Sequence, residues 1–281
     1  MRYFIKRDDL LHPVIEGNKY RKLKYNYKQF IIGNYQGILT YGGAFSNHLV
    51  AVSQLGAICN FPTIGRLNNN YANKQNPTLS ICTANGMTIL HKDEPLSSKF
   101  ETMQLFEIPL GGSNVYGIKG CEQITAEIRV QIPQVTHLIT PSGTGSTILG
   151  MAAENPDLNF ITINALKMNW NAHIRAYYNI TIPENITAWD DYHAGKFGSV
   201  NPALVDFIQR YFEQNGIMID PLYNAKALYA LEKKLDSGYF PNQSKIVYVH
   251  TGGSQGILGI NERYGYQFPA HPISHYIVRK D

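Results

Sequence analysis

The stretch Glu16-Gly17-Asn18-Lys19-Tyr20-Arg21-Lys22-Leu23 guides the interpretation of the whole chain. Asn18 is a favourable N-cap, and a glycine just before it allows the backbone to turn sharply. Apolar residues then recur at helical spacing, at Tyr20, Leu23, Tyr27 and Phe30. The pattern predicts a helix that runs to about Ile31 and has Lys19 at its start.

Lys19 is a candidate catalytic residue because of this position. It would be held by a rigid element, close to the cations Arg21 and Lys22 and to the N–H groups of the helix start. These neighbours disfavour the ammonium form and lower the pKa of a lysine, which can then form a Schiff base. A solvated basic helix face is the better interpretation for a lysine taken by itself, so the decision depends on the remaining sequence.

The composition excludes several classes of function. Charged residues make up 16% of the 281 residues, the formal charge is +4, and the basic residues are scattered. Nucleic acid is therefore not expected as a partner. The beginning of the chain is charged within two residues of its short apolar run, and no later apolar run reaches the length of a membrane span. Neither a signal peptide nor a membrane partner is predicted.

The cysteines indicate the compartment. Cys59, Cys82 and Cys121 are odd in number and far apart, and no Cys-x-x-Cys pair is present. Neither a disulfide framework nor a zinc or other metal site is expected. We therefore expect a cytoplasmic protein.

Strand and helix patterns alternate along the chain. Strands are predicted over 3–6, 37–40, 61–64, 87–90, 137–140, 160–165, 185–189 and 246–250. Helices are predicted over 46–55, after Pro77, and over 97–106, 115–129, 148–153, 201–215 and 223–235, with a polar loop over 68–76. Such alternation predicts an α/β fold with a mainly parallel sheet covered by helices on both faces.

The first of three polar loops, Tyr41 to His48, joins a predicted strand to a predicted helix. Backbone N–H groups at such a turn face whatever lies above it and suit a carboxylate. Ser46 and Asn47 add a hydroxyl and an amide at the same place. An ordinary turn, with Ser46 as N-cap, is the alternative.

The second loop, Pro141 to Thr147, also follows a strand and precedes a helix. Its glycines allow close approach of the backbone and its hydroxyls add donors, which suits a phosphate. No Gly-Lys-Ser/Thr follows, and the third glycine of a dinucleotide fingerprint is missing. A nucleotide-binding kinase or dehydrogenase is thereby excluded, and the phosphate of a compact cofactor fits better. A plain turn stays possible.

The third loop, His250 to Gly256, follows the last predicted strand. Thr251 lies at the carboxyl end of that strand, where parallel sheets place ligands. Earlier, Tyr223 stands at the start of a predicted helix, after Asp220-Pro221. A partly buried core tyrosine is the alternative for Tyr223.

Taken in order, these motifs resemble the family of 1-aminocyclopropane-1-carboxylate deaminases and D-cysteine desulfhydrases. The resemblance runs from Lys6 to about Gly259. It implies the tryptophan-synthase-β fold, also called fold type II, with pyridoxal 5′-phosphate in a cleft between two domains. The large domain would comprise residues 1–36 and 130–281, and the small inserted domain residues 37–129. It also implies a homodimer.

The resemblance implies a role for each matching residue. Lys19 would hold the cofactor as a Schiff base and later act as a base, and Asn47 would bond to the 3-oxygen of the ring. Gly143, Thr144, Gly145, Ser146 and Thr147 would bind the phosphate. Thr251 would face the pyridine nitrogen, where a neutral partner favours elimination over transamination. Ser46, Asn47 and His48 would meet a small amino-acid substrate, with Ser46 and Tyr223 as further catalytic residues.

Some residues depart from the pattern of the family. Phe45 stands where many members have glutamine, Asn224 where others have glutamate or threonine, and Phe197 where a second active-site tyrosine is common. All three changes are expected near the substrate. Ring opening needs a positioned proton donor that Phe197 cannot supply, so we expect D-cysteine desulfhydrase-like β-elimination to pyruvate, ammonia and sulfide. The alternatives are 1-aminocyclopropane-1-carboxylate deamination and a cofactor-binding protein with little turnover.

Overall fold

The computed structural model describes residues 2–68, 76–195 and 198–278, and strands and helices alternate along them. The strands are β1 (Phe4–Arg7), β2 (Gly37–Gly42), β3 (Thr63–Leu67), β4 (Thr88–Leu90), β5 (Leu105–Ile108), β6 (His137–Ser142), β7 (Asn159–Asn164), β8 (Ile186–Trp189) and β9 (Ile246–His250). The helices are α1 (Gly17–Ile32), α2 (Asn47–Cys59), α3 (Pro77–Ala84), α4 (Ser98–Glu101), α5 (Val115–Gln131), α6 (Ser146–Ala152), α7 (Trp170–Tyr178), α8 (Pro202–Asn215), α9 (Asn224–Asp236) and α10 (Gln255–Tyr264). Short 3-10 helices span Asp8–Leu10, Leu110–Gly112 and Ile273–Tyr276.

The strands form two parallel sheets. The larger has the order β1-β9-β6-β7-β8 and the smaller the order β4-β3-β2-β5. In the larger sheet, Ile5 of β1 pairs with Tyr248 of β9, so segments from both ends of the sequence build one sheet. The predicted α/β fold with mainly parallel sheets is confirmed. We propose that residues 37–129 form a small domain and that residues 1–36 and 130–281 form a large one.

The larger sheet is buried on both faces, as parallel sheets are. Ile139 and Tyr248 pack into an apolar cluster with α8 and α9. Their chain neighbours Leu138 and Val247 point the other way, into a cluster with α5 and α6. The smaller sheet has its own cluster with α1, α2 and α3. Helices therefore cover the sheets as the alternation of elements predicted.

Several predicted elements need correction. The helix predicted over 97–106 is the single turn α4 followed by strand β5, in which Phe106 and Ile108 are buried and Glu107 is exposed. This period of two is the signature of a strand. Helices α7 and α10 were not predicted at all. The loop predicted over 68–76 lies mostly outside the described residues. Within the described part of the chain, no helix has both the length and the apolar character of a membrane span.

Helix α1 is anchored by a buried ion cluster. Arg21 donates from Nε and Nη2 to the two oxygens of Asp8, at 2.5 and 2.9 Å, and its guanidinium also donates to Glu127 of α5. Lys6 of β1 contacts both carboxylates at 2.9 Å. Hydrogen bonds from Arg21 and Lys6 lower the pKa of Glu127 to about 2. The cluster joins β1, α1 and α5.

Replacing Asp8 by asparagine should destabilise the protein strongly. The side chains of Asp8 and Arg21 are 0% and 3% exposed, so the change leaves the buried guanidinium with only the part-exposed Glu127 as counter-charge. Breaking such a pair costs on the order of 3–5 kcal/mol. The free energy of unfolding from urea denaturation measures the loss. Asp236→Asn is the matched control, because the Arg2–Asp236 pair is more than half exposed and contributes below about 1 kcal/mol. Equal losses in the two variants would contradict the role given to the cluster.

Candidate active site

A cavity of about 470 Å³ lies where the carboxyl ends of β2, β6 and β9 meet. It is lined by residues 43–48 after β2, 141–145 at the end of β6, and 251–252 after β9. The start of α1 contributes Asn18, Lys19 and Lys22. Ligand sites of parallel sheets lie at such ends. All three loops that the sequence singled out therefore face one cavity.

The start of α1 is pressed against the turn after β9. Gly17 has φ +57°, and a Cβ on it would lie 1.9 Å from the carbonyl oxygen of Thr251. That carbonyl accepts a hydrogen bond from Asn18 N at 3.2 Å. The helix begins at Gly17 with Glu16 as N-cap, so the prediction of Asn18 as N-cap is wrong. The Asn18 side chain instead donates to Thr147 Oγ1 at 2.9 Å, because the glycine brings it over the phosphate-type loop.

Lys19 lines the cavity, and its side chain is otherwise buried. Its Nζ donates to Asn18 Oδ1 at 3.0 Å. Burial and the nearby Lys22 ammonium lower the pKa of Lys19 from 10.5 to about 7. Arg21, which is paired with Asp8 and Glu127, does not contribute to this shift. The sequence therefore predicted the direction of the pKa shift, but its largest cause is burial, and of the two cations only Lys22 contributes.

Lys22 is a site residue that the sequence analysis treated only as a neighbour of Lys19. It is 2% exposed, lines the cavity, and donates from Nζ to the carbonyl of Gly111 at 3.3 Å. Burial lowers its pKa. Lys22 follows Lys19 by three residues and so lies on the same helix face. This spacing could have identified it as a site residue.

The loop after β6 is held from below by other side chains. Gly143, Thr144, Gly145 and Thr147 line the cavity, whereas Ser146 is fully buried and lies 3.3 Å from the hydroxyl of Ser113. Ser113 also donates to the Thr144 hydroxyl. The structure thus brings four of the five predicted phosphate-loop residues to the cavity. The hydroxyl of the fifth, Ser146, is engaged by Ser113, which the sequence did not indicate.

Ser46 caps α2, as predicted. Its Oγ accepts from His48 N at 3.2 Å and from Leu49 N at 3.4 Å, which leaves its own proton free to donate. Asn47 is the first residue of α2 and also lines the cavity. A hydroxyl, an amide and a helix N-terminus therefore lie together, an arrangement that suits a carboxylate.

His48 lies beneath this loop and is 2% exposed. The Thr40 hydroxyl donates to Ile108 O at 2.8 Å, so it accepts from His48 Nε2–H, also at 2.8 Å. Nδ1 has no hydrogen-bond partner among the described residues, so a proton there would have no acceptor, and the ring is neutral. Burial, followed by Lys19 and Lys22, lowers the pKa of His48.

Thr251 and Tyr223 face the same cavity. The Thr251 hydroxyl lies 3.4 Å from Asn224 Oδ1, a long contact that leaves it free to turn toward a ligand. A Cβ on Gly143 would lie 3.4 Å from the ring of Tyr223. Burial and the nearby Asp220 raise the pKa of Tyr223, whose hydroxyl stays protonated at neutral pH.

Two of the three residues that depart from the family pattern lie within the described part of the chain. Phe45 lines the cavity and packs on Gly259, as expected for a residue near the substrate. Asn224 is fully buried and does not line the cavity. It bonds instead to Asp220, Tyr248 and the backbone of Thr251, so its predicted place beside the substrate is wrong. Phe197 lies outside the described residues.

The cavity is positively charged. Among the described residues that line it, Lys19, Lys22 and Arg263 are basic and none is acidic. Such a lining attracts anions and would repel a metal ion. The described residues contain no His, Cys, Asp or Glu cluster that could hold a metal.

Comparison with known proteins identifies the family. A family model described as pyridoxal-phosphate dependent enzyme matches residues 1–252. The chain belongs to this family. Among solved structures, the chain is similar to an ACC deaminase homologue. The two are 22% identical with a TM-score of 0.78, covering 92% of this chain and 86% of that chain. Threonine deaminase isoform 2 from Solanum lycopersicum is 17% identical with a TM-score of 0.62, covering 94% and 78%. A fungal L-serine ammonia-lyase from Rhizomucor miehei is 15% identical with a TM-score of 0.63, covering 94% and 92%. At these identities the neighbours show the shared fold.

The residues in the cavity fit pyridoxal 5′-phosphate. An amine of lowered pKa, a loop after a parallel strand, an additional buried cation and the absence of carboxylates among the described lining residues all suit a phosphorylated aldehyde. The protein is thus a pyridoxal-phosphate enzyme of fold type II.

The reactivity of Lys19 in the apoprotein should rise through about pH 7 rather than 10.5, because only the neutral amine is a nucleophile. Competitive acetylation, mapped by tandem mass spectrometry, measures this midpoint. Lys22→Met should move it to higher pH by removing the neighbouring cation. Lys24→Met is the control, since Lys24 is exposed on the same helix. A midpoint near 10.5, or one indifferent to Lys22, would contradict the geometry.

Proposed function

We propose that the protein is a pyridoxal-phosphate-dependent lyase or deaminase acting on a small amino acid, with D-cysteine desulfhydrase-like β-elimination as its main reaction. The observation that supports this most is the arrangement around Lys19. Its amine has a pKa lowered to about 7, and Lys19 lines the same cavity as the loop of Gly143–Thr147 and the carboxylate-type site at Ser46.

Binding of cofactor and substrate is assigned to opposite parts of the cavity. The loop from Gly143 to Thr147, with Lys22 nearby, would hold the phosphate. Ser46 and the N-terminus of α2 would hold the carboxylate of the amino acid, with the Ser46 proton free to donate. Asn47 would donate to the 3-oxygen of the ring, and Thr251 would face the ring nitrogen. These assignments use polar residues from each of the three loops that follow β2, β6 and β9.

Proton transfer is assigned to Lys19 and Tyr223. When bound, the pyridoxal ring withdraws electrons from the α carbon of the substrate and so acidifies its proton. Lys19 Nζ, neutral at about pH 7 and above, would accept that proton. Tyr223 stays protonated because its pKa is raised, so its hydroxyl would act as a hydrogen-bond donor rather than as a base.

β-Elimination is favoured over ring opening for a chemical reason. Departure of sulfide needs only removal of the α-proton and a stable leaving anion. Opening a cyclopropane ring needs a proton donor placed against a carbon atom. Phe45 makes the substrate side of the cavity apolar, and Phe197, outside the described residues, has no proton to offer.

Lys19 should carry the cofactor. The purified protein should be yellow, and borohydride reduction should fix the cofactor on the peptide that contains Lys19, as found by mass spectrometry. Lys19→Ala should lose the label, whereas Lys24→Ala, altered at an exposed position of the same helix, should keep it. Label on Lys22 would refute the assignment.

D-cysteine should be a better substrate than 1-aminocyclopropane-1-carboxylate. We expect sulfide and pyruvate from D-cysteine to exceed ammonia from the cyclopropane, because loss of a positioned proton donor costs a factor of roughly 10² to 10⁴. Both assays should be run side by side, with L-cysteine and D-serine included. Efficient ring opening would overturn the preference. Cofactor binding without turnover of any amino acid would instead indicate a cofactor-binding protein.

The compartment and assembly are also part of the proposal. The cysteine usage favours a cytoplasmic protein, and the family resemblance implies a homodimer. Sedimentation equilibrium of the cofactor-bound protein would test the assembly, with a mass near twice 31.7 kDa expected.

A further inference from the structure

Behind the cavity wall, three polar side chains from different helices form a chain of hydrogen bonds. Thr78 of α3 donates from Oγ1 to Gln255 Oε1 at 2.9 Å. Gln255, the first residue of α10, donates from Nε2 to Asn47 Oδ1 at the start of α2. Thr78 is 0% and Gln255 3% exposed, so water does not compete for these bonds.

These hydrogen bonds all run in one direction, from donor Thr78 through Gln255 to acceptor Asn47. This direction determines how the Asn47 amide is oriented. The Thr78 hydroxyl occupies the oxygen of Gln255, which leaves its NH₂ group for Asn47. Asn47 Oδ1 is then taken, and Nδ2 is the donor that remains. Gly253 makes room for this amide, because a Cβ there would lie 2.3 Å from Asn47 Nδ2.

A neighbouring network keeps this side of the wall rigid. Glu16 Oε2 accepts from Gly253 N and from Ser254 N, at 2.8 Å each. The backbone on which the Asn47 amide rests is therefore tied to the residue that precedes α1. Gln255 follows directly in sequence, so its side chain starts from a fixed point.

We propose that Gln255, held by Thr78, is a positioning residue that keeps the NH₂ group of Asn47 directed toward the 3-oxygen of the cofactor. The inference rests on the proposed function, in which Asn47 meets that oxygen. The 3-oxygen is a phenol oxygen whose anion is stabilised by an N–H donor and destabilised by a carbonyl oxygen. A turned amide would present its oxygen instead, so the orientation of Asn47 affects the charge of the cofactor.

The direct test replaces Gln255 by residues of similar shape. Gln255→Met removes the donor, and Gln255→Glu supplies only an acceptor and so favours the turned amide. In the holoenzyme, the absorption spectrum should be titrated with pH to obtain the pKa of the 3-oxygen. We expect a rise of roughly 1 to 2 units for Gln255→Glu, the larger effect, and less for Gln255→Met. Affinity for the cofactor should fall roughly 10- to 100-fold.

A second pair of variants tests the relay, by which we mean the hydrogen bonds from Thr78 through Gln255 to Asn47, at its end away from the cavity. Thr78→Val removes the hydroxyl that orients Gln255, and Thr78→Ser keeps it. The valine variant should shift the spectral titration in the same direction as Gln255→Met, whereas the serine variant should match the unmodified protein. Since Thr78 does not line the cavity, a shift confined to the valine variant supports the relay. If valine and serine titrate alike, the relay is refuted, even if a Gln255 variant fails to fold.

A double-mutant cycle separates positioning from general damage. If Gln255 acts only through Asn47, Gln255→Met should have no further effect on the titration in an Asn47→Ala background. Equal shifts in both backgrounds would overturn the proposal. The titration uses no amino-acid substrate, so it is independent of the turnover assays. Borohydride labelling of a lysine other than Lys19 would refute the proposed function without altering this comparison.

Discussion

Helix α1 meets the turn after β9 backbone to backbone, and the position of Lys19 depends on that contact. A residue with a side chain at position 17 would collide with the Thr251 carbonyl, so the helix could not begin where it does. One peptide further, Asn18 uses the same carbonyl as its hydrogen-bond acceptor. The Lys19 amine proposed to hold the cofactor and the Thr251 hydroxyl proposed to face the ring nitrogen are therefore positioned by a single contact.

Two cations close to Lys19 in sequence have different effects because their surroundings differ. Arg21 is paired with Asp8 and Glu127, so its charge is compensated and serves to anchor the helix. Lys22 has only a backbone carbonyl as its hydrogen-bond acceptor among the described residues, and its charge acts on Lys19 and His48. Helix α1 thus carries Arg21, whose charge anchors the helix, and Lys22, whose charge lowers the pKa of Lys19 and His48.

Local patterns predicted most of the fold, because strands and helices here have clear periods and the loops carry glycine and hydroxyl groups. The residues lining the cavity were largely found in the same way. What the sequence could not indicate are contacts between distant elements. Asn224 was expected beside the substrate but is buried under Thr251, and Gln255 lies next to Asn47 only after α10 packs near α2. Strand β5 was missed because it has only four residues and comes shortly after the single helical turn α4. The two together were interpreted as one helix.

The pairing of β1 with β9 has a consequence for how the protein is made. Ile5 leaves the ribosome well before its partner Tyr248 is synthesised. The smaller sheet needs only residues 37–108 and can close much earlier. Contacts between such distant residues slow folding and leave strand edges exposed meanwhile. Lys19 is translated well before Thr251 and cannot reach its place against that residue until β9 has emerged, so the nascent chain has no complete cofactor site until then.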